Sequence, residues 1–165
     1  MTELTRGPLH PELEPLAFLL GTWTGEGTAS FPTMDQDVRY GERMVFEHVG
    51  EPFLLYAQES WVVEDGSPLH LERGAVRHAG QGELEMVIAH PVQAVTEVSH
   101  GRLDGTSLDL STADGSVSRT RTGDPVAAVA RRYRVWGNVM TYELDLATDE
   151  VGPTLHLVAE LRREP

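Results

Sequence analysis

The sequence predicts an all-β protein, an antiparallel up-and-down β-barrel of about ten strands with one short N-terminal helix. Turn residues recur about every 8–12 residues, and most segments between them alternate apolar and polar side chains. Nearly all connections are short, which favours antiparallel neighbours, and closure into a barrel removes exposed strand edges. No linker divides the 165 residues, so we expect one domain over residues 1–165 with its core at about 13–163.

The short helix is predicted just before the first strand. Leu13, Leu16 and Leu20 stand at i, i+3 and i+7, which places them on one face of a helix, and Gly21 can end it. Pro15 is tolerated near the beginning of a helix. We expect this helix to lie across one end of the barrel.

The first strand is predicted over 21–31, where polar residues alternate with small residues between Trp23 and Phe31. The dipeptide Asp114-Gly115 predicts a turn between two short strands. Ten or eleven strands make a barrel wider than side chains alone can fill, which predicts an interior cavity for an apolar ligand. The other segments with strand character are 38–48, 53–63, 69–77, 83–89, 92–100, 108–111, 117–121, 127–136, 139–146 and 154–163.

The composition excludes several functional classes. The chain has 26 acidic and 13 basic residues, a formal net charge of -13, no cysteine and no lysine. Disulfides, thiolate nucleophiles, iron–sulfur clusters and Schiff-base chemistry are therefore excluded, and nucleic-acid binding is disfavoured by charge repulsion. No apolar run is long enough for a membrane span, and residues 1–15 lack the pattern of a signal peptide. We expect a cytoplasmic protein.

Histidines are the main candidates for chemistry. No two of them stand at i, i+2 or i, i+4, so a zinc site would require histidines distant in sequence to converge. From the pattern alone, His156 and His70 are interpreted as strand residues that are hydrogen-bonded or face solvent, in preference to ligands. The seven histidines are His10, His48, His70, His78, His90, His100 and His156.

The remaining polar and aromatic candidates favour structural roles. A nucleophile elbow of the type G-x-S-x-G is absent from the sequence. The four strand carboxylates are interpreted as a solvated face, and the three tryptophans as core or cavity wall. These residues are Glu42, Glu59, Glu72 and Glu97, and Trp23, Trp61 and Trp136.

Five short blocks in order resemble the nitrobindin family and together span Leu13 to Arg163. The segment 21–33 is similar to its G-x-W-x-G-x-G-x-G-x-Y-P-T signature, and 46–54 to its F-x-H-V-G-K-P-F-L block. Pro68-Leu69-His70, with Glu72 and Gly74, is similar to P-L/M-H-x-E-x-G, and 89–91 matches a short A-H-P block. The segment 156–163 is similar to H-L-x-A-x-L-x-R.

This resemblance implies a ten-stranded barrel of the calycin or fatty-acid-binding-protein type that binds ferric haem b. His156 matches the family's axial histidine and is the implied metal ligand and catalytic residue. Thr33, Leu69, His70 and Leu146 match positions at the haem or lining its pocket. The implied activities are reversible nitric oxide binding and isomerisation of peroxynitrite to nitrate, with imidazole on one side of the iron and the other side open.

Four residues depart from the family pattern. Ala29 replaces the third signature glycine, Phe31 the tyrosine and Glu51 a usual lysine. Asp124 lies where relatives often carry a basic residue near the haem. Because a carboxylate repels a haem propionate, Asp124 predicts that haem is held more loosely or in a shifted pose.

Two other functions fit the same barrel. A carrier of a fatty acid or another lipophile needs an interior cation for the ligand carboxylate, and Arg43, Arg73 and Arg131 are the candidates. A structural domain with a vestigial pocket is the second alternative. The predicted partners are haem and a small diatomic or peroxynitrite ligand, with no nucleic acid, no membrane span and a possible homodimer.

Overall fold

Ten antiparallel strands close into a barrel behind an N-terminal 3-10 helix. The structure, a computed structural model, describes residues 6–165, so the first five residues of the predicted domain lie outside it. The helix is Pro11–Leu19. The strands are β1 (Gly21–Ala29), β2 (Val38–His48), β3 (Leu54–Val62), β4 (Pro68–Gly80), β5 (Glu83–His90), β6 (Val95–Asp104), β7 (Ser107–Arg119), β8 (Val126–Trp136), β9 (Val139–Thr148) and β10 (Thr154–Arg163).

Every strand pairs with its sequence neighbour, and β1 closes the barrel by pairing with β10. At the seam, Gly25 lies opposite Glu42 of β2 and Leu161 of β10. A side chain at Gly25 would collide with the backbone of β10, so glycine is required for this close strand approach. The predicted ten-stranded antiparallel barrel is confirmed.

The N-terminal helix covers the end of the barrel where β1 begins. Leu13, Leu16 and Leu19 are fully buried, whereas Leu20 is half-buried, so the predicted face was wrong at its last position. The reason is the helix type, because a 3-10 helix has three residues per turn and repeats a face at i, i+3 and i+6. The buried indole Nε1–H of Trp23 donates to the Leu19 carbonyl at 2.8 Å and fixes the helix to the barrel.

One predicted turn is absent because β7 is a single long strand. Gly115 lies within it, where a Cβ would stand 1.8 Å from the Val98 carbonyl oxygen. The glycine therefore serves close packing of β7 on β6 beside a β-bulge, not a turn.

The same strand opens the barrel wall at one end. The described ladder between β7 and β8 pairs Ser107 with Arg134 and ends where Ser111 faces Ala130. Beyond it, the second half of β7 pairs with β6, and the first residues of β8 pair with β9. The two strands therefore separate at the end of the barrel opposite the 3-10 helix.

The tryptophans do not share one environment. Trp23 is buried in the core as predicted, but Trp61 and Trp136 are 36% and 62% exposed, so their assignment to core or cavity wall was wrong. Trp61 points outward and lies over Gly41 of β2, where a Cβ would stand 2.4 Å from the indole ring. Trp136 ends β8 next to the Gly137 turn.

None of the helical segments in residues 6–165 has both the length and the apolar character needed to cross a membrane.

Candidate functional site

A cavity of about 440 Å³ occupies the end of the barrel opposite the 3-10 helix. Its walls are largely apolar, and it reaches the gap between β7 and β8 through Val117 and Val126. A volume of this size is typical of a small-molecule or cofactor site. The predicted interior cavity is therefore present.

All five residues selected from the sequence line this cavity. They come from the loop after β1 and from strands β4, β9 and β10, and the fold brings them together although they are separated by up to 123 positions in the chain. They are Thr33, Leu69, His70, Leu146 and His156. The departures Ala29, Phe31 and Asp124 also lie on the wall, whereas Glu51 is exposed in the β2–β3 loop.

A β-bulge turns His156 into the cavity. Across β10 and β9, Leu155 faces Asp145 and Leu157 faces Leu144, so His156 is the extra residue. Simple alternation would send one of two consecutive residues outward, but the bulge lets both His156 and Leu157 line the cavity. The bulge therefore creates the site for the candidate ligand.

The His156 ring is oriented by two contacts. Its Nδ1–H donates to the Ser30 carbonyl at 3.0 Å, which leaves the Nε2 lone pair available. The Phe31 ring packs edge-on against it with centroids 5.4 Å apart. Burial lowers the pKa of His156 below its ordinary value, and the His70 charge lowers it further, against the opposing effect of the Ser30 hydrogen bond. A neutral imidazole with a free Nε2 is the form that binds a metal.

A second β-bulge places His70 on the cavity wall. Ser60 of β3 faces His70, but Trp61 faces Pro68, so Leu69 is the extra residue and both Leu69 and His70 reach the cavity. Unlike His156, His70 belongs to a dense polar cluster. Its Nε2 lies 2.9 Å from Glu72 Oε1 and 3.1 Å from Nδ1 of His90.

Arg131 organises the charges behind His70. It is fully buried, and all five of its N–H groups donate to oxygens. Four of these bonds, at 2.7–3.1 Å, go to the carboxylates of Glu72 and Glu97, and the fifth goes to Tyr142 Oη. Burial alone would raise the pKa of Glu72, but Arg131 and then His70 hold it well below its usual range.

The interpretation of the carboxylates as a solvated face was wrong for three of the four. Glu42, Glu72 and Glu97 are at most 1% exposed, while Glu59 lies on the outer surface and pairs with Arg73 at 2.7 Å. Glu72 and Glu97 are stable inside because Arg131 neutralises part of their charge.

Glu42 is the interior carboxylate that has no cation hydrogen-bonded to it among the described residues. It accepts from Gln58 Nε2 at 3.0 Å, and its other oxygen has no partner among residues 6–165. Burial raises the pKa of Glu42 to about 8, against the opposing effect of the Gln58 hydrogen bond. Burial therefore favours the protonated form of Glu42, which adds no negative charge beside Arg131.

Four members of the charged cluster, Glu72, His90, Glu97 and Arg131, were not selected as site residues from the sequence. The alternation in β5 buries Leu84, Met86, Ile88 and then His90, so its phase would have placed His90 inside. The alternation in β6 places Glu97 inside in the same way. Arg131 was named among three candidate interior cations, and it is the one that lies inside.

Comparison with known proteins agrees with this architecture. The model of the THAP4-like, heme-binding beta-barrel domain matches residues 12–163. The chain is similar to a crystal structure of Rv2717c from M. tuberculosis, with a TM-score of 0.90 and 40% identity, covering 95% of this chain and 99% of that one.

Two curated relatives show the same similarity over nearly their whole length. Peroxynitrite isomerase 1 from Mycobacterium tuberculosis (strain ATCC 25618 / H37Rv) is 42% identical over 163 residues, covering 94% of this chain and 97% of that protein. Peroxynitrite isomerase 2 from Mycobacterium marinum (strain ATCC BAA-535 / M) is 39% identical over 158 residues, with the same coverage. The family resemblance found in the sequence is thereby confirmed.

Proposed function

The chain belongs to the THAP4-like, heme-binding β-barrel domain family, and from this premise we propose that it binds ferric haem through His156 and isomerises peroxynitrite to nitrate. The observation that carries the proposal is the bulged, half-buried His156. Its Nδ1–H is engaged by the Ser30 carbonyl, and its Nε2 is free toward an apolar cavity.

The cavity residues fit a haem. A flat macrocycle needs apolar walls, which Phe31, Leu146 and Leu157 supply, and an opening for its propionates, which the separation of β7 and β8 supplies. Thr33 offers a hydroxyl at the cavity wall. A histidine that holds haem iron must offer a neutral imidazole with a fixed ring, and His156 would meet both conditions.

When bound, ferric haem supplies a Lewis-acidic iron at which the O–O bond of peroxynitrite rearranges to give nitrate without an external electron. The chain supplies the surroundings. Ser30 fixes the His156 tautomer, and Phe31 fixes the ring plane. The apolar wall excludes water from the ligand side. His70 offers a polar ring on the cavity wall, and we also propose that the haem-loaded protein would bind nitric oxide.

The alternative carrier function finds no support in the interior cations of residues 6–165. Arg43 and Arg73 lie on the outer surface. Arg131 lies inside, but Glu72, Glu97 and Tyr142 take all five of its N–H groups. A fatty-acid carboxylate would have to displace one of these buried partners, which is costly.

The test is haem reconstitution of the wild type and of His156→Ala. We expect a Soret band and nitrate formation from peroxynitrite for the wild type, and loss of both for the variant. His100→Ala removes an exposed strand histidine and serves as the matched control that keeps both signals. An unchanged Soret band in His156→Ala would exclude His156 as the ligand.

Two expectations from the sequence remain predictions. The homodimer is to be tested by light scattering, and the exposed Trp136 is a suitable position for substitution. The cytoplasmic location is to be tested by cell fractionation.

A further inference from the structure

Three metal-ligating atoms converge in the wall of the cavity, apart from His156. They are Nε2 of His70, Nδ1 of His90 and Oε1 of Glu72, and the structure brings them together from β4 and β5. His70 Nε2 lies 2.9 Å from Glu72 Oε1 and 3.1 Å from His90 Nδ1, and the third side of the triangle is 3.5 Å. His70 is partly exposed to the cavity, and the other two residues are buried.

These three separations match the distances between neighbouring ligand atoms in the coordination shell of a metal ion. Ligand atoms about 2.1 Å from an ion lie about 3.0 Å apart at an octahedral angle and about 3.4 Å apart at a tetrahedral one. For this triangle, a point about 2.1 Å from all three atoms lies about 1 Å out of their plane. An ion can therefore be bound without backbone movement.

The surroundings hold each ligand group in place. The other ring nitrogen of His90 donates to Glu97 Oε2 at 3.0 Å, which is the carboxylate–histidine arrangement common around metal ligands. The second oxygen of Glu72 accepts from Arg131 and from Tyr56 Oη, at 2.9 and 2.7 Å. Oε1 of Glu72 also accepts from Nη2 of Arg131 at 2.9 Å, and its remaining lone pair and Nδ1 of His90 are the groups offered to an ion.

The charge balance also favours a cation. Glu72 and Glu97 share the single guanidinium of Arg131, so the cluster carries one surplus negative charge when both histidines are neutral. His70 can use Nε2 as a ligand by carrying its proton on Nδ1, so binding requires no charged imidazole.

We propose that His70, His90 and Glu72 bind a first-row divalent transition-metal ion, of the Zn²⁺ or Fe²⁺ class, at a site separate from the axial histidine. Two imidazoles and one carboxylate on one face leave the remaining coordination positions for water or a small anionic ligand. Because His156 takes no part, this site does not depend on haem binding.

The experiment is a Zn²⁺ titration of the full chain by calorimetry, with zinc K-edge X-ray absorption on the loaded protein. We expect about one Zn²⁺ per chain, and two imidazole nitrogens at about 2.0–2.1 Å in the absorption spectrum. His70→Ala should weaken Zn²⁺ binding by at least about tenfold. Glu97→Gln, which removes the carboxylate that accepts from His90 and from Arg131, should weaken it by about tenfold.

Two variants make the outcome decisive. His100→Ala removes an exposed strand histidine and should leave Zn²⁺ affinity unchanged, as should His156→Ala, which addresses the haem ligand. His70→Ala is chosen because His70 is partly exposed, and circular dichroism checks that it folds. The proposal is overturned if Zn²⁺ fails to bind, if His70→Ala binds it as tightly as the wild type, or if absorption shows no imidazole.

Discussion

His156 and His70 line one cavity from two bulged strands, but their electrostatic surroundings differ. His156 has one hydrogen bond to a backbone carbonyl and an aromatic neighbour, and burial lowers its pKa. His70 contacts a carboxylate and a second imidazole in a cluster with Arg131.

Because of this difference, His156 and His70 suit different chemistry. A neutral ring with one fixed nitrogen and one free nitrogen suits axial ligation of a large apolar cofactor. A ring held among charged groups suits a polar contact or a small cation. The same structural device, an extra residue in one strand, thus brings two histidines with different surroundings to one cavity.

The largest effect on stability is expected from removing Arg131, the cation of the buried cluster that contains Glu72 and Glu97. Arg131→Met leaves Glu72 and Glu97 buried without their cation, so we expect a loss of about 3–5 kcal/mol in the free energy of unfolding. Urea denaturation of the haem-free protein measures it. The matched control is Arg132→Met, since Arg132 pairs with Glu143 and Asp145 near the surface and should cost about 1 kcal/mol or less. Equal losses in the two variants would contradict the role assigned to Arg131.

The next prediction concerns the effect of Glu42 on how the stability of the protein depends on pH. Its pKa is about 8 in the folded protein, above the ordinary value of 4.5 expected in the unfolded chain. As pH rises, the unfolded chain loses the Glu42 proton at a lower pH than the folded protein does. The free energy of unfolding therefore falls as pH rises between 4.5 and about 8. Glu42→Gln should be more stable than the wild type by about 2–4 kcal/mol at pH 8, and nearly equal at pH 5.

Urea denaturation at the two pH values measures this difference. Glu59→Gln is the control, because Glu59 lies on the outer surface and should show no such window. A stability difference for Glu42→Gln that is the same at pH 5 and pH 8 would contradict a neutral Glu42.

The fold was predictable because alternation and short turns are local signals. The exceptions have local causes: the 3-10 period buries Leu19 instead of Leu20, and Gly115 allows close strand packing where a turn was expected. A glycine after an aspartate is a turn signal in most contexts, and only the partner strand shows that this one is different.

The site was less predictable from the residues alone. Leu161, Ala159 and Leu157 face inward, so strict alternation would direct His156 outward, and only the bulge turns it inward. His156 was therefore selected from the family resemblance and not from the strand pattern. The buried carboxylates were missed because charged residues are usually exposed, and the compensating Arg131 is distant in sequence.

A smaller effect on haem affinity is expected at Asp124, near the gap between β7 and β8. Asp124 lines the cavity near the gap, and its charge opposes an anionic propionate. Asp124→Asn should tighten haem binding about three- to tenfold, which corresponds to about 1 kcal/mol. Haem transfer to an apoglobin measures the affinity, and Asp114→Asn, an exposed change on β7, is the control. A weaker or unchanged affinity for Asp124→Asn would mean that this carboxylate does not face the propionates.

The smallest effect concerns the apolar wall alone. Phe31 packs edge-on against His156, and Phe46 packs against Tyr56 in the core with centroids 5.3 Å apart. Phe31→Leu keeps an apolar side chain but removes the edge contact that fixes the ligand ring, so haem affinity should fall about two- to fourfold. The same change at Phe46 should lower the free energy of unfolding by about 1 kcal/mol and leave haem affinity unchanged. Haem transfer and urea denaturation of both variants separate ring orientation at the site from packing in the core. If both variants lose haem affinity equally, the apolar wall acts through overall stability, and orientation of the ring by Phe31 is excluded.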